Sequence, residues 1–322
     1  MLNSYPLLTD DLGLSMRGKD LLCVHDLSLD EIYRVFAVAS ELKSELYQGI
    51  PHRVLSGKSL GMIFRKSSTR TRVSFEVGIW QLGGYGLYLN ADDIQLGRGE
   101  SISDTAKVLS RYLDGIMIRT YDHEEVVELA EHSSVPVING LTDLFHPCQA
   151  LADMFTAYEK RGTLAGLKLA FIGDGNNVAN SLLLICAKLG VHMSLACPEG
   201  YDPPQSVVEM AKLDAAQSGA QLQIVRDPME AARDADIVYT DVWASMGQEL
   251  EKVERAKSFA NYQVNRELMA IAKPDALVMH CLPAYRGEEI TADVIDGPNS
   301  VVLDEAENRL HVQKAIMALL MS

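Results

Sequence analysis

From Ser28 the chain reads SLDEIYRVFAVASELKSELYQG, with Leu29, Ile32, Phe36, Ala39, Leu42 and Leu46 near helical spacing. Ser28 with Glu31 forms a capping box at its start, and Gly49 ends the run. The apolar run LGMIF then predicts a buried strand. A helix follows from about Thr69 to Leu82, stopped by Gly83 and Gly84. YGLYLN, GIMIR and VPVIN read as further strands, alternating with helices over SDTAKVLSRYLDG and HEEVVELAEHSS. After HPCQALADMFTAYEKRG, read as one helix, a second series begins. LKLAFIGD, VHMSLACP, QLQIVRD, ADIVYTDV, ALVMHCLP and SVVLDEA read as strands, and ENRLHVQKAIMALL as a terminal helix.

Short apolar strands alternating with amphipathic helices imply parallel sheets covered on both faces. The expected fold class is α/β, with two doubly wound parallel-sheet domains joined near residue 150. A cleft between them is the expected place for small ligands. A length of 322 residues agrees with two domains rather than one.

Composition narrows the class. Hydrophobic content of 48% and charged content of 23% are ordinary for a globular protein. No apolar run reaches the ~18 residues of a membrane span, and the N-terminal stretch lacks the basic start and apolar core of a secretory signal. No membrane association is expected. A formal charge of −15 argues against nucleic acid as a partner. The cysteines at 23, 148, 186, 197 and 281 are widely spaced and form no C-x-x-C pair. That disfavours a disulfide framework or a structural zinc site and fits a reducing, cytoplasmic location.

Against this acidic background RKSSTRTRVS, residues 65–74, concentrates Arg65, Lys66, Arg70 and Arg72 among five hydroxyls. It falls between a predicted strand and a predicted helix. A helix N-terminus exposes unpaired N–H groups and a partial positive charge. Ser, Thr and Arg side chains added there make an anion site, most naturally for phosphate. The competing reading is a capped helix with a solvated basic surface. No G-x-x-x-x-G-K-[ST] run is present, so this is not the phosphate loop of ATPases.

Other polar residues fall at predicted strand ends and in loops, where open α/β sheets place ligands. Arg119 closes GIMIRT. Pro147 suits a first helical position, which would aim His146 and Gln149 into the gap; a cap or hinge contact is the alternative for His146. GDGNNVAN, residues 173–180, approaches a dinucleotide fingerprint, but Val178 takes the third glycine position and the next strand, VHMSLACPE, lacks an acidic residue at its tip. Asn176 and Asn177 suit either a zwitterion or a supported turn. Asp241, in DVWASMGQE, could take an ammonium group, with Ser245 and Met246 shaping a loop. Cys281 and Leu282 close a strand in HCLP; a buried structural cysteine is the default for the former.

Taken together, STRT (68–71), QLGRGES around Gln95, HPCQ (146–149), DVWASMG (241–247), HCLP (280–283) and DEAENRLH around Arg309 resemble the transcarbamylase family, and its ornithine branch most closely. The likeness runs along nearly the full chain, in order. It implies a carbamoyl phosphate-binding domain over residues 1–150, completed by the last helix, 307–322, and an ornithine-binding domain over 151–306. It also implies a homotrimer, or a multiple of trimers, with active sites at subunit interfaces. The implied reaction moves the carbamoyl group of carbamoyl phosphate to the side-chain amine of L-ornithine, giving citrulline and phosphate with no metal or organic cofactor. Another amine (putrescine, an acylated ornithine or aspartate) is the alternative acceptor.

By the same resemblance, Ser68, Thr69, Arg70 and Thr71 would bind the phosphate, with Gln95 reaching it from a neighbouring chain. Arg119 and His146 would serve the carbamoyl oxygen and Gln149 its nitrogen, with Pro147 and Cys148 alongside. Asn177, Asp241, Ser245 and Met246 would hold ornithine, Cys281 and Leu282 would flank the reacting groups, and Arg309 would add a contact to carbamoyl phosphate. Arg65 and Tyr285 depart from the family pattern, which often has Glu and His there.

Overall fold

The computed structural model describes residues 16–94, 99–244 and 249–322. The chain divides into two compact units, one comprising residues up to Leu151 together with Glu307–Ser322, the other Ala152–Ala306.

The first unit carries α1 (Leu29–Tyr47), β1 (Ser59–Phe64), α2 (Thr69–Gln81), β2 (Tyr85–Asn90), α3 (Ile102–Leu109), β3 (Gly115–Arg119), α4 (His123–His132) and β4 (Val137–Leu141). α1 starts where expected: Ser28 Oγ accepts from Glu31 N–H, and the Glu31 carboxylate accepts from Ser28 N–H. The strands pair in parallel in the order β2-β1-β3-β4. β3 and β4 are buried along their whole length, as a sheet covered on both faces requires.

α5 (Pro147–Arg161) begins in the first unit and ends in the second. The second unit continues with β5 (Lys168–Ile172), α6 (Asn177–Leu189), β6 (His192–Ala196), α7 (Gln205–Ser218), β7 (Leu222–Val225), α8 (Pro228–Ala232), β8 (Ile237–Thr240), α9 (Lys252–Ser258), α10 (Arg266–Met269), β9 (Leu277–His280) and α11 (Ala292–Ile295). α12 (Val302–Met321) runs from the second unit into the first. The second sheet is also parallel, ordered β7-β6-β5-β8-β9. α6 is buried at nearly every position, so its apolar side chains form core rather than surface.

Both sheets reverse strand order beside their first strand, between β1 and β3 and between β5 and β8. At such a switch point the two neighbouring loops leave in opposite directions and open a crevice at the strand C-termini. Each unit therefore offers one prepared ligand position.

Two expectations are corrected. SVVLDEA is not a strand: Ser300 makes an isolated bridge to Val278, and α12 starts at Val302 with Asp304 and Glu305 in its first turn. The acidic pair favours a helix N-terminus and outweighs the short β-branched run. The helix read over SDTAKVLSRYLDG ends at Leu109, after which Ser110 Oγ donates back to Ala106 O and the chain turns.

Candidate functional site

In the first unit the crevice between β1 and β3 holds the start of α2. Ser68 is its N-cap, its Oγ accepting from Thr71 N–H at 3.2 Å. Thr69 and Arg70 follow in the first turn. The Thr71 hydroxyl is the meeting point. Ser68 Oγ lies 3.2 Å away, and the guanidinium groups of Arg119 and Arg309 donate to it at 3.4 and 3.3 Å. Arg119 ends β3 as expected, and its Nε donates to Lys66 O at 3.2 Å. Arg309, from α12, also donates to the Gln149 side-chain oxygen. It is buried.

Pro147 is the first residue of α5, and the His146 carbonyl accepts from the N–H groups of Gln149 and Ala150. The sequence HP thus fixes both the helix start and the place of His146 before it. His146 is buried, and its imidazole is held well below its ordinary pKa. Burial is the main cause, followed by the charges of Arg309, Arg119, Arg70 and Lys66. At neutral pH the ring is uncharged, with one N–H to offer. Cys148 is fully buried, its thiol directed at Asn139 O and pushed up to about 12 by burial. Its side chain is committed to the interior.

The basic stretch therefore sorts into two groups. Arg65 pairs with Glu125 and Arg72 with Glu76, each at 3.2 Å, and Arg72 also lies over the Tyr88 ring. Lys66 and Arg70 face His146 with Arg119 and Arg309. The departure at Arg65 thus has a local carboxylate partner. Lys66 belongs to the cluster although no motif singled it out; it is buried, with Asp143 at 3.2 Å. Gln95 lies outside the described residues.

In the second unit the crevice between β5 and β8 is built by GDGNN and Asp241. Asn176 caps α6, its Oδ1 accepting from Val178 and Ala179 N–H at 3.0 and 3.1 Å. Those are the donors a dinucleotide pyrophosphate would need, so the cap closes the position to such a cofactor. The Asn176 amide nitrogen donates to Asp241 Oδ2 at 2.8 Å. Asp241 Oδ1 accepts from Val242 N–H at 2.8 Å and from the Cys281 thiol at 3.1 Å. This carboxylate is held on three sides. Burial, reinforced by Asp241, raises the Cys281 thiol well above its ordinary pKa. Cys281 is therefore a thiol donor, not a thiolate nucleophile. Asn177 starts α6 and is buried; Ser245 and Met246 lie outside the described residues.

Leu282 takes a left-handed backbone, φ 57°, and its N–H donates to His280 Nδ1 at 2.9 Å. His280 Nε2 faces Glu289 Oε1 at 3.1 Å, so the Nε2–H tautomer fits both partners. Donor atoms of Asp241, His280 and Cys281 lie within 4.8 Å of one another. They are not arranged as cation ligands: both imidazole nitrogens are engaged and the thiol keeps its proton. His280 and Glu289 escape sequence inspection because their role depends on contacts between segments.

An α/β protein with a buried cationic cradle at one switch point and an anchored carboxylate at the other has the parts of an enzyme joining an anionic donor to an amine acceptor. Residues 19–159 match the carbamoyl-P binding domain of aspartate/ornithine carbamoyltransferase, and residues 165–320 match its Asp/Orn binding domain. The chain belongs to the aspartate/ornithine carbamoyltransferase family. It is 59% identical to the ornithine carbamoyltransferase of Thermococcus kodakarensis, over 96% of this chain and 98% of that one. The anabolic ornithine carbamoyltransferase of Pyrococcus furiosus is 57% identical, over 96% and 98%. The solved structure of an ornithine carbamoyltransferase from P. furiosus superimposes with a TM-score of 0.93 at 57% identity, covering 96% of this chain and 98% of that one. The anabolic enzyme of Campylobacter jejuni gives a TM-score of 0.87 at 42% identity, covering 93% and 97%.

Proposed function

We propose that the protein is an ornithine carbamoyltransferase, transferring the carbamoyl group of carbamoyl phosphate to the side-chain amine of L-ornithine to give L-citrulline and phosphate. The near full-length identity to proteins of that name carries this reading. It favours ornithine over putrescine, an acylated ornithine or aspartate. The first unit, with the returning end of α12, takes carbamoyl phosphate; Ala152–Ala306 takes ornithine.

The neutral amine nitrogen attacks the carbamoyl carbon, the carbon–oxygen bond to phosphate breaks, and the proton the nitrogen then sheds passes to the departing phosphate. Negative charge grows on the carbonyl oxygen and on the departing phosphate. Ser68, Thr69, Arg70 and Thr71 hold the phosphate, with Arg309 as a further donor and Gln95 supplied by a neighbouring chain. Arg119 and neutral His146 donate to the carbonyl oxygen, and the Gln149 side chain meets the carbamoyl nitrogen. Pro147 and Cys148 contribute through the backbone and by fixing the start of α5. Fixed donors of this kind are worth ~10²–10³ in rate each. Removing charge from His146 suits this role, because a neutral imidazole donates without adding a cation that must be desolvated.

Asn177, Asp241, Ser245 and Met246 bind the α-amino and α-carboxylate ends of ornithine. Cys281 and the Leu282 backbone stand beside the reacting amine. An alkyl ammonium titrates near 10.4, so attack requires deprotonation. No step needs a metal or organic cofactor.

We extend the reading to a homotrimer or a multiple of trimers, to a cytoplasmic location, and to the citrulline-forming direction in arginine biosynthesis. The name of the P. furiosus relative supports the direction, and the sequence resemblance supports the assembly. Among the described residues no helix is long and apolar enough to cross a membrane. Citrulline formation with a panel of amines tests the function. Turnover of ornithine at least 100-fold above putrescine, N-acetylornithine and aspartate is expected. A preference for any of those three would reassign the acceptor.

A further inference from the structure

Behind the Asp241–Cys281 pair lies a second pair of acids that the reaction as described does not use. Asp153, from α5, and Glu305, from the first turn of α12, are fully buried, and the two carboxyl groups interact directly. Two carboxyls buried side by side keep a proton between them; without it they are two like charges in an apolar interior. Glu305 makes two more contacts. The Tyr239 hydroxyl donates to Oε1 at 3.1 Å, and the His280 N–H donates to Oε2 at 3.0 Å.

Those contacts fall on particular segments. Tyr239 lies in β8, two residues before Asp241; His280 ends β9, directly before Cys281. One side chain therefore ties together the C-terminal ends of the two strands that deliver the carboxylate and the thiol. Strand pairing alone fixes Tyr239 to Met279 and Thr240 to His280. It does not fix the residues just beyond, where regular pairing has stopped.

We infer that Glu305 is a positioning residue of the ornithine half-site: carrying a proton shared with Asp153, it locks the ends of β8 and β9 and so sets the Asp241–Cys281 geometry. This inference rests on the carbamoyltransferase reading for its kinetic part only. Loss of the shared proton places two anions side by side and weakens the lock. The groups facing the pair are Tyr239 on β8, Asp241 and Cys281 beyond the strand ends, the His280 main chain, and Cys186 on α6 beside Asp153. Asp241 is the remaining carboxylate among them. Burial first, then Asp153, raises the Glu305 carboxyl well above its ordinary value.

The sign follows from linkage. The folded protein keeps a proton that the unfolded chain releases near pH 4.5. This contribution is complete below that pH and is lost as the pH rises toward the raised folded value, by at most tenfold in the folding equilibrium per pH unit.

The test compares the full-length protein with Glu305→Gln, Asp153→Asn and Glu305→Ala. A glutamine cannot ionise, yet its carbonyl can take the His280 N–H while its NH₂ replaces the proton toward Asp153. Melting is followed from pH 5 to 9, and ornithine and carbamoyl phosphate kinetics over the same range. The melting comparison with wild type isolates this proton from those of other groups and needs no activity. Expected results are an alkaline loss of stability in wild type that is absent in Glu305→Gln, and an ornithine kcat/KM profile extended to higher pH in that variant. Glu305→Ala should lower kcat/KM for ornithine at least tenfold and leave the carbamoyl phosphate KM within twofold; if it does not fold, the Asp153→Asn profile replaces it. Superimposable melting curves for wild type and Glu305→Gln would overturn the shared proton. Equal losses for both substrates, or none, would overturn the positioning role. An inactive wild type that still shows the melting difference would sink the functional reading instead.

Discussion

The side chains around Thr71 are tied to one another. Thr71 Oγ1 is approached by Arg119, Arg309 and Ser68, and burial, with the neighbouring cations, holds His146 neutral. Arg70→Ala removes the half-buried charge at the first turn of α2 without touching the N-cap. Titration calorimetry should show carbamoyl phosphate affinity reduced at least 100-fold with melting unchanged; near-normal affinity would remove Arg70 from the phosphate site. Cys281→Ser keeps a donor toward Asp241 but shortens its reach. It should reduce kcat/KM for ornithine more than tenfold while carbamoyl phosphate binding stays within twofold. Equal ornithine kinetics for variant and parent would discard the thiol's role.

Residues at this scale were unevenly legible from sequence. Arg119, His146, Asp241 and Cys281 stood at predicted strand or helix ends, and they occupy those ends. Lys66 was visible only as one cation among four. The carboxylate partners of Arg65, Lys66 and Arg72 are Glu125, Asp143 and Glu76, and the first two are remote in sequence. Arg309 carried no local sign of burial. The Asp153–Glu305 contact joins residues 152 positions apart, and no periodicity encodes it.

Among the elements, those with strong local signals were read correctly. The capping box at Ser28, the glycine stop after α2 and Pro147 at the start of α5 each act within a few residues. The apolar positions of SVVLDEA suit a strand, and only its acidic residues point to the first turn of a helix. The loop between β5 and α6 illustrates a stronger constraint. A Cβ on Gly175 would lie 2.4 Å from Pro203 N and 2.6 Å from Tyr201 O, both backbone atoms that cannot swing away. Gly175→Ala should therefore destabilise by about 1–3 kcal/mol, in the range of overpacking. It should also disturb Asn176, and with it Asp241. A melting temperature equal to the parent's would show that the loop yields more readily than its packing suggests.

For the whole molecule, pH reports how many groups folding has shifted. Burial and neighbouring cations hold His146 well below 6.5 and bring His52 and His311 down to about 4. The unfolded chain binds protons at these sites before the folded protein does, so stability falls as pH drops below about 6.5. His123, lowered by burial, adds a fourth such imidazole, while the raised carboxyls of Glu305, Asp20, Glu41 and Asp174 work in the opposite direction. Melting temperature should decline from pH 6.5 to pH 5; a flat or rising curve would mean the four imidazoles are more open to protonation than their burial implies. The two-domain α/β architecture was legible in the sequence from the alternation of strands and helices. The family was legible only because several short motifs occur together and in order.

The central claim is that the start of α2 grips the departing phosphate while Asp241 and Cys281 attend the attacking amine. A crystal structure with a phosphonate bisubstrate analogue carrying an ornithine moiety tests it most directly. The account predicts phosphonate oxygens within hydrogen-bond distance of Ser68, Arg70 and Thr71, the carbonyl oxygen against Arg119 and His146, and the ornithine side-chain nitrogen beside Cys281. A phosphonate bound away from the start of α2, or an ornithine moiety remote from Asp241, would contradict it.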